Sequence, residues 1–99
     1  MYARLNMFTL GPGTRLAAEQ LVAQFDPLFK AQKGLKSITF FGDDTVGEYA
    51  TFSIWETRED AETANAALLP QLQEALRGAG VQIQGAPIQR IAEVYEPRP

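Results

Sequence analysis

Residues 34–60, GLKSITFFGDDTVGEYATFSIWETRED, constrain this chain more than any other stretch. Two runs rich in β-branched and aromatic residues flank Gly42-Asp43-Asp44-Thr45-Val46-Gly47, a loop made of residues that tolerate tight bends. The second run alternates. Tyr49, Thr51, Ser53 and Trp55 fall on one face of a strand, and Ala50, Phe52 and Ile54 on the other. The second set reads as core. The first mixes hydroxyls with two large aromatics and suits a polar-tipped cavity. Thr57-Arg58-Glu59-Asp60 follows at once, a capping-box pattern with aspartate in its last position. Thr57 can accept a hydrogen bond from the first turn of a helix while Asp60 offsets the helix dipole. Trp55 is thereby held at a strand end beside a fixed corner.

The rest of the chain arranges itself around this unit. Residues 2–10 read as a strand with Arg4, Asn6 and Phe8 on one side and Ala3, Leu5, Met7 and Thr9 on the other, broken by Gly11-Pro12-Gly13. A helix is expected over 14–32, with Ala17, Ala18, Leu21, Val22, Phe25, Leu28 and Phe29 in one stripe. The stripe keeps its phase through Pro27, which predicts a kink and not a break. Gly34 ends the helix. Residues 35–41 form the second strand, with Ile38 and Phe40 on one face and Ser37, Thr39 and Phe41 on the other, and 48–56 the third. A second helix over 58–77 carries Ala61, Ala64, Leu68, Leu72, Ala75 and Leu76, until Gly78 and Gly80 stop it. Residues 81–84 alternate and can add a short edge strand, 88–95 form the last strand, and 96–99 a frayed tail.

This order predicts an α+β, ferredoxin-like βαββαβ fold: a four-stranded antiparallel sheet with both helices on one face, in a single domain over residues 1–99. The bare face is expected to carry Arg4, Asn6, Phe8, Tyr49, Thr51, Ser53 and Trp55. Phe8, Tyr49 and Trp55 would make an exposed apolar patch there, which predicts a symmetric homodimer through the open sheet face. Space between each sheet and its cover becomes a pocket.

Composition narrows the chemistry. A net charge of −3 without any basic cluster argues against nucleic acid and against anionic membrane surfaces. No apolar stretch approaches the roughly 20 residues that span a bilayer, and the first residues lack the pattern of a signal peptide, so a cytoplasmic location is expected. The chain has no cysteine and no histidine. Thiol nucleophiles, thiolate metal sites, the commonest neutral-pH base and the usual haem ligand are all removed. Gly11-Pro12-Gly13 lacks the spacing of a phosphate loop. Asp43-Asp44, beside a turn glycine, reads as solvated turn chemistry and a poor metal site, so no metal is expected.

The βαββαβ order, Ile54-Trp55-Glu56-Thr57 leading into a capped helix, and a closing strand ending Val94-Tyr95-Glu96 together resemble the antibiotic biosynthesis monooxygenase family of the dimeric α/β barrel superfamily. The resemblance runs over residues 2–96. It implies a dimeric α/β barrel and, in one branch, oxygenation of aromatic polyketides and quinols without a cofactor. Asn6 and Trp55 match the first-strand asparagine and third-strand tryptophan of the haem-degrading branch and are the candidate catalytic residues. The histidine of that branch has no counterpart, which argues against haem degradation. The polyketide-oxidising branch carries an asparagine where this chain has Thr51.

The function expected is a cofactor-independent monooxygenase acting on a small aromatic or quinol-like molecule. Arg4, Phe8, Tyr49, Thr51 and Ser53 would bind the substrate. The alternative is a non-catalytic dimeric module that binds a ligand or simply assembles. Trp55 can equally be an interface anchor or a core plug. Asn6 can serve a buried backbone group, Arg4 an ion pair and Tyr49 cross-strand packing. Arg90 could face the pocket or turn away from it.

Overall fold

The computed structural model describes residues 1–97 and has the element order β1 (Tyr2–Thr9), α1 (Arg15–Lys30), β2 (Leu35–Asp43), β3 (Glu48–Trp55), α2 (Arg58–Ala79) and β4 (Gln84–Glu93). Residues 98 and 99, the end of the expected tail, lie outside the described residues. The strands form one sheet in the order β2-β3-β1-β4, with every neighbouring pair antiparallel. α1 packs on β2, and α2 on β1 and β3. This is the ferredoxin-like α+β arrangement the sequence predicts.

Local chemistry accounts for the elements. Thr57 caps α2 through its side-chain oxygen, which accepts from the Asp60 backbone N–H at 3.0 Å. Gly80 closes the same helix in the left-handed conformation, φ 72°. Both helices continue through their prolines, Pro27 and Pro70. β4 differs from expectation: the short 81–84 segment and the 88–95 strand are replaced by one strand starting at Gln84. Pro87 is accommodated because β4 is an edge strand, where one N–H can be spared. A register irregularity between Met7 and Thr9 absorbs the mismatch.

The facing of the sheet reverses the expectation. Arg4, Asn6, Phe8, Tyr49, Thr51, Ser53 and Trp55 lie on the helix-covered side, where Trp55 is 0% exposed and packs against Ala61 and Ala64. Phe52, assigned to the core from alternation, lies on the open side at 43% exposure, with Phe41 and Ile88 also exposed. The cause lies in the amphipathic pattern itself. Both faces of β3 carry large apolar groups, so alternation groups the residues correctly but does not say which group the helices cover. Ala61 and Ala64 suit the observed facing, because their short side chains let α2 approach closely enough to bury the whole indole.

Candidate functional site

The helix layer does not close onto the sheet along its whole length. A cavity of about 600 Å³ lies between them. Its floor is a row of side chains in register across all four strands: Phe40, Thr51, Asn6 and Gln89. Strands run about 5 Å apart, so these four make a continuous surface that is aromatic at one end and polar in the middle. The roof comes from the apolar stripes of the helices, including Phe25 and Phe29 of α1 and Leu68 of α2. Val22 and Leu69 border the same space and stay 38% and 36% exposed. Part of each stripe therefore faces the cavity instead of a packing partner.

At the inner end Trp55 serves two roles at once. It is the centre of the core cluster, with Phe29, Leu35 and Ile91 around it, and it also borders the cavity. Its indole N–H donates to Ser53 Oγ at 2.8 Å, and the Ser53 hydroxyl donates to the Arg4 carbonyl at 3.5 Å. Ser53, expected among the substrate-binding residues, does not line the cavity. Its hydroxyl is used in holding the indole, and its side chain is 1% exposed.

Two polar atoms in this region have no partner: Arg4 Nε and Asn6 Oδ1. Arg4 is only 7% exposed. Burial pushes its guanidinium pKa down, an effect opposed in part by the field of Glu62. Glu62 itself pairs with Arg58 at 2.9 Å. Among the described residues no carboxylate lies within ion-pair distance of Arg4. The ion pair expected as one reading of Arg4 is thus absent.

The outer end is built differently. Tyr49 Oη donates to Asp44 Oδ1 at 3.2 Å and lies 3.3 Å from Thr14 Oγ1. Arg15 reaches the other oxygen of Asp44 at 2.9 Å. The Arg15 pKa is raised by its hydrogen bond to Glu19 and by the charge of Asp44. These contacts tie the β2–β3 turn to the start of α1 across the cavity mouth. Asp44 is therefore more than a solvated turn residue. Asp43 does play the turn role, accepting from the Thr45 N–H at 2.9 Å.

The structure brings Arg4, Asn6, Phe8, Tyr49, Thr51 and Trp55 to one cavity and leaves Ser53 behind it. Arg90 pairs in register with Leu5 and so faces the open side of the sheet. Sequence reasoning missed Phe40, Asn65 and Gln89 as lining residues. Asn65 had a signal, being a polar residue one turn after Ala61 inside the apolar stripe of α2. Gln89 had none, because its facing depends on the β1–β4 register. Among the described residues no group of three or more acidic or other ligating side chains could hold a metal ion. No helix among them is long and apolar enough to cross a membrane.

No family model matches the sequence, and no curated protein matches it significantly. Solved structures do match. The cofactor-independent oxygenase SnoaB from Streptomyces nogalater superposes with a TM-score of 0.73 at 20% identity, covering 99% of this chain and 96% of that one. The monooxygenase ActVA-Orf6 of Streptomyces coelicolor, determined in complex with nanaomycin D, gives a TM-score of 0.74 at 17% identity, over 98% and 89%. A candidate antibiotic biosynthesis monooxygenase from Deinococcus radiodurans gives 0.74 at 16% identity, over 100% and 97%. The chain has the fold of the antibiotic biosynthesis monooxygenases.

Proposed function

We propose that this protein oxidises a small aromatic or quinol-like molecule with dioxygen, without a cofactor, in the cavity between sheet and helices. The observation that supports this most directly is the cavity itself: about 600 Å³, roofed by apolar helix stripes, with the polar groups of Asn6 and Thr51 set in its floor. Such a slot accepts a flat ring and directs its oxygens at the strand face. ActVA-Orf6, which shares the fold, holds the ligand nanaomycin D.

The chemistry asks little of the protein. A phenolic substrate that loses a proton becomes an electron-rich anion able to pass an electron to dioxygen. The apolar roof displaces water from around a bound ring, and hydrogen bonds from the floor hold the oxyanion in place. The proton leaves toward the mouth, where Asp44, hydrogen-bonded to Tyr49, is the proposed acceptor. In this reading Asn6 orients the substrate oxygen and Trp55 walls the ring. The proposed assembly is a homodimer through the open sheet face, supported by Phe41, Phe52 and Ile88 exposed there. The cytoplasmic location expected from the sequence is kept as part of the proposal.

Oxygen uptake with a panel of hydroquinones and anthrone-like phenols tests the activity. Turnover should fall about 10-fold or more in both Asn6→Ala and Trp55→Phe while the fold is retained, the size expected for losing a substrate-orienting contact. Wild-type uptake no faster than buffer across the panel, together with tight binding of the same compounds, would turn the assignment to the non-catalytic ligand-binding module.

A further inference from the structure

Arg4 and Asn6 stand two residues apart on one face of β1, so their Cα atoms are about 6.5 Å apart and both side chains rise from the same floor. One is a buried cation whose Nε lacks an acceptor, and the other a buried carbonyl oxygen that lacks a donor. Folded proteins rarely leave such groups unpaired, and an unpaired charge is the most costly kind. Asn6 Oδ1 can only accept, and the guanidinium can only donate. The two atoms therefore ask for different things from whatever occupies the cavity: an anion beside Arg4 and a hydroxyl beside Asn6.

We propose that the substrate is a hydroxylated aromatic acid, an aromatic frame carrying a carboxylate and a phenolic hydroxyl on non-adjacent carbons, so that the hydroxyl is not held by the carboxylate, with the carboxylate on Arg4 and the hydroxyl donating to Asn6. This rests on the cavity assignment above and names the class of molecule that fills it. Global electrostatics oppose the arrangement, since the chain carries a net charge of −3. An anion preference would thus have to come from a local group, and Arg4 is the buried cation that lines the cavity. The carboxylate supplies the direct ion-pair partner that Glu62, acting only through its field, does not provide. The hydroxyl brings the oxidisable phenol to the middle of the floor, beside Thr51.

Trp55 is the single tryptophan of the chain and borders the cavity, so its fluorescence reports occupancy directly. Three neutral-pH titrations, with a hydroxynaphthoate whose hydroxyl and carboxylate sit on non-adjacent carbons, naphthol and naphthoate, make the test without any turnover. The hydroxy acid should bind about 10-fold or more tighter than naphthol, the scale of one charge-assisted hydrogen-bond pair. Arg4→Gln should erase that preference and leave naphthol affinity within about 2-fold, since only the charge-assisted pair is lost. Asn6→Ala should erase the smaller preference over naphthoate. Equal wild-type binding of hydroxynaphthoate and naphthol overturns the proposal while leaving the cavity assignment standing, and so does a preference that survives Arg4→Gln. Failure of all three probes to bind overturns the cavity assignment and this proposal with it. Should Arg4→Gln not fold, Arg4→Met and the wild-type comparison of the three probes decide the same question.

Discussion

Arg4 shows at the residue scale how a binding site and a stable core make opposite demands. Arg4, mostly buried with its Nε unpartnered and only the field of Glu62 in compensation, costs the empty protein stability that an apolar side chain of similar length would not. Arg4→Met should therefore raise the melting temperature by about 4–8 °C, the shift that roughly 1 kcal/mol produces in a domain of this size, while abolishing acid binding. Calorimetry checks the first and titration the second; a lower melting temperature would mean that Arg4 is already paired in the free protein. The pH dependence follows from the direction of its shift. A buried cation with a depressed pKa binds its proton less readily in the folded state, so its unfavourable contribution is relieved only as pH rises through that depressed value. Both states hold the proton between about pH 5 and 9, and Arg4 should leave stability flat there. Acid binding should instead fail as the ligand's own carboxylate is protonated. Ser53 poses the reverse case. Ser53→Ala strands the Trp55 indole N–H in a closed environment and should cost about 1–3 kcal/mol by urea denaturation, with a shifted tryptophan emission. A cost below about 0.5 kcal/mol would mean that the indole finds another acceptor.

Corners carry the argument at the scale of elements. Gly47, at φ 70°, sits against Gly11: a Cβ added there would overlap the Gly11 carbonyl. The same residue's carbonyl accepts from the Leu10 N–H at 2.8 Å, which ties the β2–β3 turn to the end of β1. Gly47→Ala combines a strained backbone with a clash against backbone that cannot swing away, and should cost about 3 kcal/mol or more in a thermal melt. A cost near 1 kcal/mol would show that the turn relaxes. Thr57→Ala removes only a cap and should cost about 1 kcal/mol. Corners of this kind are legible in the sequence, as are both helix stripes and the grouping of residues on each strand. The sidedness of the sheet is not. Tyr49 and Trp55 on one face of β3 balance Phe52 and Ile54 on the other, and the small side chains of α2 that suit the observed facing act across the fold, not along the chain. Gln89 and Arg90 are ambiguous in sequence for a related reason: their facing follows from which residue of β1 each one meets. Asp44 looks like an ordinary turn residue in sequence because its partners Arg15 and Tyr49 reach it from other elements.

The open face of the sheet sets the question for the whole molecule. Phe41, Phe52 and Ile88 are each more than two-fifths exposed on the side the helices leave bare. The proposed dimer would cover them by a two-fold arrangement in which each sheet meets its own copy. Sedimentation velocity should show twice the chain mass for wild type and a monomer for Phe52→Glu, with probe binding in the cavity retained because that residue points the other way. A wild-type monomer at micromolar concentration would leave the open face without its proposed partner. The cavity on the opposite side has a consequence of another kind, in heat capacity. Its mouth is open, so water wets the apolar roof until a ligand covers it, and covering apolar surface lowers the heat capacity. Binding enthalpy should then become more negative as temperature rises, and more steeply the more of the roof a molecule covers. The temperature slope of the binding heat makes calorimetry a gauge of how completely a candidate molecule fits.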